Sequence, residues 1–133
     1  MHAVGVGVFI AISSDMICSW EPSLQTDCEL LWVKINVVGC KTLYICAFYN
    51  PDEGDALSLE NFESSLEQIR SETSHIWITG DMNLPGYDWK HNCLLPNCRY
   101  PELTRKFADC LEDHGLAQLI TEPTRGKTSW TCL

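Results

Sequence analysis

The stretch His75-Ile76-Trp77-Ile78-Thr79-Gly80-Asp81-Met82-Asn83-Leu84-Pro85 decides how the chain is read, because a short apolar run passes directly into a polar tetrad and then a breaker. His75 to Thr79, rich in Ile, Trp and Thr, reads as a short apolar strand. Gly80-Asp81-Met82-Asn83 therefore stands at a strand's end, ahead of a Pro/Gly-containing loop from Leu84 to Trp89.

In an extended segment, residues two apart project to the same side, so Asp81 and Asn83 are expected to address one point while Met82 packs behind. That geometry suits phosphodiester hydrolysis. Asp81 accepts a proton from an attacking water, and the neutral amide of Asn83 orients that water or donates to a phosphate oxygen without adding repulsive charge. Gly80 leaves room for close backbone approach. The same string also reads as turn chemistry, since Asp and Asn bond their own backbone and all three residue types favour turns. On these residues both readings stay open.

Upstream, Val4 to Ile12 reads as one strand with branched residues on one face and small ones mostly on the other, followed by a turn at Ser13-Ser14-Asp15. Cys28 to Val37 and Thr42 to Tyr49 read as two more strands, with a break around Gly39-Cys40-Lys41 suited to a hairpin. Asn50 to Asp55 is a loop, and Asp55 is placed to cap a helix whose inward stripe is Leu59, Phe62, Leu66 and Ile69. Glu60, Glu63, Glu67 and Glu72 fall largely off that stripe and read as a solvated face. Downstream, a second helix runs from Leu103 to about His114 with Leu103, Phe107, Cys110 and Leu111 inward and Gly115 as its stop, and Leu116 to Thr121 reads as another strand. A strand-rich first third followed by alternating helices and strands predicts a mixed α/β layered domain, one unit over residues 1–133.

Composition agrees with a single core: 45% of the 133 residues are apolar and 20% charged. Eighteen acidic residues against nine basic ones leave a formal charge of -9, which argues against a freestanding nucleic-acid binder working by phosphate neutralisation. It lowers a nuclease reading without excluding it, because in a metal-dependent phosphodiesterase bound divalent ions supply positive charge at the phosphate. The chain opens with no basic segment or cleavage site, and Val4 to Ile12 is too short to span a bilayer. The expectation is an intracellular protein, nuclear or cytoplasmic, with no membrane segment, whose eight cysteines stay reduced and act mostly as small buried hydrophobes. Cys93, Cys98, Cys110 and His114 loosely fit a four-ligand zinc spacing, but the first gap is wide and Pro96 interrupts it, so convergence on one ion is not expected. His75 and His91 read as strand-entry and loop residues.

Taken with Asp88-Trp89, the string Gly80-Asp81-Met82-Asn83-Leu84-Pro85 resembles the endonuclease/exonuclease/phosphatase family, and within it the endonuclease domains preceding reverse transcriptase in non-LTR retrotransposons. Those domains commonly carry Gly-Asp-Phe-Asn-Leu-Pro followed by Asp-Trp. Gly5 to Ile10 is similar to the family's glycine-led strand, Cys28 to Val33 to its Glu-x-x-Trp-Val strand, and Ala47-Phe48-Tyr49-Asn50-Pro51 to its Tyr-Arg-Pro segment with Asn50 in place of Arg. Leu116 to Gly126 is similar to the exit into the family's final strands. The resemblance implies an α+β fold in which a layered β-sandwich is flanked by helices, Mg²⁺ as cofactor and DNA as partner. It implies that Asp81 activates water, that Asn83 orients the phosphate, and that Tyr49 contacts the scissile phosphate. Thr124 matches a phosphate-contacting threonine, although beside Pro123 it also reads as an ordinary turn residue.

The family also places an Asn and a metal-binding Glu ahead of the glycine-led strand, and a Leu-Asp pair and a Ser-Asp-His motif after the Pro-Thr-Arg segment. None has a match here, so no metal ligand is assigned, and a partial domain truncated at both ends is expected, with little or no nuclease activity on its own. A non-catalytic remnant and a zinc-stabilised interaction module are the alternatives. The sharpest geometric expectation is that the Thr42 to Tyr49 and His75 to Thr79 strands are neighbours delivering Tyr49 and Asp81 to one end of a sheet, their side chains within about 10 Å.

Overall fold

Strict alternation in two neighbouring strands builds the architecture. Leu30, Trp32, Cys46 and Phe48 are buried in one apolar cluster, whereas Leu31, Val33, Ile35 and Ala47 are buried in another. A sheet apolar on both faces has to be covered on both. The computed structural model, which describes residues 2–4, 7–70, 72–120 and 131–132, covers one face with helices and the other with a small hairpin. In chain order the elements are β1 (His2–Val4), β2 (Phe9–Ala11), β3 (Cys18–Trp20), β4 (Leu30–Ile35), β5 (Thr42–Tyr49), α1 (Ala56–Glu67), β6 (Ser74–Asp81), β7 (Tyr87–Asp88), β8 (Cys93–Leu94), α2 (Pro101–Asp113) and β9 (Thr131–Cys132).

The main sheet has the order β3-β4-β5-β6-β9. Among the described residues only the β5–β6 pair is parallel, and α1 makes the crossover between them. On the helical face Phe48, Phe62 of α1 and Phe107 of α2 form a chain of rings, with centroids 4.7 Å and 5.4 Å apart in turn, so one aromatic relay ties the sheet to both helices. On the opposite face Ile10 of β2 seals Leu31, Val33 and Ile35. The fold is therefore the layered α+β arrangement expected.

Local chemistry explains the element ends. Asp55 caps α1 by accepting from the Ser58 amide at 3.0 Å and the Ser58 hydroxyl at 2.9 Å. Gly115, at φ +70, ends α2, while its amide bonds the Glu112 carbonyl at 2.8 Å and Leu116 packs back onto the core.

Several expectations are corrected. Val4 to Ile12 is not one strand: β1 and β2 pair antiparallel, Val4 opposite Phe9, and Gly7 at φ +77 lies within the reversal. The Cys28 to Val37 strand is shorter, Leu30–Ile35, because its ends are committed to turns. Edge strand β3 and the β7–β8 hairpin were not expected, and each is short. Leu116 to Ile120 forms no strand, since Leu116 is used in the helix stop and Leu119 points to solvent at 68% exposure. Thr121 and Thr124 lie outside the described residues.

Glu63 also departs from a plain solvated face. It is half-buried beside α2, and burial raises its carboxyl above the usual range, with Glu67 and Glu60 adding to the rise and Lys106 opposing it. The folded state thus holds this proton more tightly than the unfolded chain does. Its ionisation costs stability as pH rises from below the ordinary carboxylate range through the raised folded value. Glu63→Gln is expected to melt higher than the parent at pH 7, with the gap closing as pH falls below about 4. A denaturation series against pH checks this; an unchanged or lower melting point at pH 7 contradicts it.

Candidate active site

The cross-strand rows of the main sheet lead to the site. On the face away from the helices, successive rows run Val33–Ile45–Trp77, then Leu31–Ala47–Thr79, and the next position places Tyr49 opposite Asp81. The Tyr49 amide donates to the Glu29 carbonyl at 2.9 Å, so Glu29 flanks Tyr49 on its other side. The last row is therefore Glu29–Tyr49–Asp81: two carboxylates and a phenol where the preceding rows are mostly apolar. It lies at the carboxyl ends of the parallel strands β5 and β6, the usual position for ligands in such sheets. Backbones of neighbouring strands are about 4.8 Å apart, so Tyr49 and Asp81 share one end and one face as expected.

Gly7 and Val8 close over this row and complete a cavity of about 400 Å³ with Glu29, Phe48, Tyr49, Gly80 and Asp81. A methyl group at Gly7 would collide with the Glu29 carboxylate, so the glycine makes the room in which that carboxylate lies. Among the described residues no positively charged side chain lines the cavity. Glu29 makes no side-chain hydrogen bond or ion pair among the described residues. Sequence reasoning missed it as a site residue, yet the signal was present: Glu29 has the same parity as Leu31, Val33 and Ile35, and so shares their face.

Gly80 does permit a close backbone approach, but by the protein itself. A side chain there would run into the Phe48 carbonyl of β5, and its φ of +131 is glycine territory. Beyond it the extended geometry expected for Asp81 to Asn83 fails. Strand β6 ends at Asp81, Met82 is buried as expected, and Asn83 turns left-handed at φ +47. The Asp81 carboxylate accepts from the Asn83 amide at 2.9 Å, which is the turn chemistry of the other reading. Asn83 does not line the cavity, so the structure brings together Tyr49 and Asp81 but not Asn83 with them.

Other acidic and sulfur residues are engaged elsewhere. Asp52 caps the Gly54 amide at 2.9 Å, and Asp88 accepts from the amides of Lys90 and His91. The His91 ring bond is the main reason the Asp88 carboxyl falls below its usual range. Cys98 packs on Gly86 and lies 3.6 Å from the Thr104 hydroxyl, whereas Cys110 borders a groove between α1 and α2 with His114. Burial, then Glu63, Glu67 and Asp113, push the Cys110 thiol up to about 12, so it is neutral near pH 7 and a poor nucleophile or ligand. Among the described residues no three His, Cys, Asp or Glu side chains are grouped to hold a metal ion, and no helix is long and apolar enough to cross a membrane.

Two carboxylates and a phenol thus meet at one end of a mixed α+β sheet. A sequence profile described as endonuclease-reverse transcriptase matches residues 43–132, from β5 through β9, and the chain belongs to that family. No match is found among curated proteins.

Proposed function

We propose that the Glu29–Tyr49–Asp81 row is the working part of an endonuclease-type phosphodiesterase that uses Mg²⁺ and takes DNA as substrate. The observation that carries this is the cavity itself, where Tyr49 and Asp81 at the ends of parallel strands meet the Glu29 carboxylate, with no basic side chain among the described residues to neutralise the two carboxylates. Such a pocket suits a hard divalent cation, which binds through one or two carboxylates together with substrate phosphate. Glu29, whose carboxylate has no other partner among the described residues, would hold it, and the ion would supply the positive charge a phosphodiester needs on entering. Asp81 keeps one oxygen on the Asn83 amide and has the other for a proton from the attacking water. The Tyr49 hydroxyl donates to a phosphate oxygen, and Asn83 and Thr124 are proposed as phosphate-orienting groups. The rate is expected to be low, because among the described residues no cationic side chain in the cavity opposes charge developing on the phosphate.

Two measurements test this. Mn²⁺ added to labelled protein should broaden the NMR signals of Glu29, Tyr49 and Asp81 before others, and plasmid DNA should be nicked slowly with Mg²⁺ and not with chelator. Broadening confined to the α1–α2 groove, with no nicking at high protein concentration, would instead support a fold-only remnant. The observation favouring that second reading is that no three metal-ligating side chains are grouped among the described residues.

A further inference from the structure

Asn50 is fully buried and follows Tyr49 directly, yet it lines no part of the cavity. Its backbone amide donates to the Asp81 carbonyl at 2.8 Å, the last backbone bond joining β5 to β6. Its side-chain Nδ2 then reaches one residue further and donates to the Met82 carbonyl at 3.0 Å. The other end of that same peptide unit, the Asn83 amide, donates to the Asp81 carboxylate at 2.9 Å. One peptide plane is thus held at its oxygen by Asn50 and at its nitrogen by Asp81. The remaining Asn50 atom, Oδ1, is buried with no hydrogen-bond partner among the described residues. An unpaired buried acceptor is costly, so this amide is not explained as a contribution to stability alone.

We propose that Asn50 is a positioning residue which, through the Met82–Asn83 peptide, fixes the Asp81 carboxylate in the cavity. This rests on the endonuclease reading for its catalytic consequence, though not for its geometry. Donation to the Met82 carbonyl polarises the peptide and strengthens the bond its N–H makes to Asp81. That bond orients the carboxylate, leaving its second oxygen for the reaction. Without Asn50, the one side-chain hydrogen bond left on this peptide among the described residues is that to Asp81, and that side chain is the group that must stay still.

The test compares Asn50→Leu, which keeps the branching but replaces the amide with two larger methyl groups, with Leu59→Ala, a core truncation in α1 away from the turn. Asn83 amide exchange is followed by NMR on both variants and the parent. In Asn50→Leu it is expected to quicken about tenfold beyond any change in global stability, the factor carried by a typical net hydrogen bond. Hydrolysis of the activated diester bis(4-nitrophenyl) phosphate should lose about a hundredfold in kcat with little change in KM, as for a displaced catalytic group. Asn50→His, which keeps a ring N–H donor, should recover part of both. Asn83 exchange as slow in Asn50→Leu as in Leu59→Ala overturns the proposal, as does a kcat loss matched by Leu59→Ala. A parent protein inactive on every diester would sink the endonuclease reading, while the exchange measurement, which needs no substrate, still decides the clamp. If Asn50→Leu does not fold, Asn50→His alone decides through the same exchange.

Discussion

Gly80→Ala is expected to lower the thermal midpoint by roughly 10 °C or more, among the largest effects any single methyl group should have in this chain. Two costs combine at this position. A non-glycine residue at φ +131 carries about 1 to 3 kcal/mol of backbone strain. The added methyl also meets the Phe48 carbonyl, which is backbone and cannot rotate away, so β5 and β6 must separate where their pairing places Tyr49 beside Asp81. Overpacking of that kind costs about 1 to 3 kcal/mol more. Gly39 isolates the first cost: its φ is +79, but nothing lies within 4 Å of an added Cβ. Gly39→Ala should therefore lose only about 1 kcal/mol. Melting curves for the two variants side by side check this, and equal losses would mean that the Phe48 carbonyl does not crowd Gly80.

The same contact shows which features of the fold were legible in the sequence and which were not. Alternation in Leu30 to Ile35, Thr42 to Tyr49 and His75 to Asp81 fixes the faces of three strands, and the helix between the last two requires the parallel pairing that brings Tyr49 to Asp81. That much follows from period and connection. The Val4 to Ile12 run was misread because branched apolar residues look alike in one strand or two, and Gly7 alone does not announce a reversal. Leu116 to Ile120 was misread because an apolar residue that closes a helix stop resembles the start of a strand. Asn83 was placed by continuing β6, whereas the local Asp81–Asn83 turn bond, the other reading of the string, takes it left-handed. Glu29 went unassigned because its part in the cavity depends on Gly7 and Val8 of another element closing over it.

Asp81→Asn is expected to reduce diester hydrolysis by about 10² to 10⁴, the range for loss of a positioned general base, while leaving the melting point unchanged or slightly higher. The amide keeps the shape of the carboxylate and an oxygen to accept from Asn83, so the turn should survive. What disappears is the group able to take a proton from water. Stability should not fall, because Glu29 and Asp81 line one cavity with no cationic side chain beside them among the described residues, and removing one of two like charges relieves repulsion. Glu29→Gln should show the same opposition, with lower activity, unchanged or higher stability and, in addition, a greater Mg²⁺ requirement. Residues kept for packing lose stability when altered, whereas residues kept for chemistry lose activity and often gain stability. Rates and melting points for both variants distinguish the two cases. If Asp81→Asn melts lower and hydrolyses diesters as fast as the parent, Asp81 serves the turn alone and the Gly80 to Asn83 string is structural.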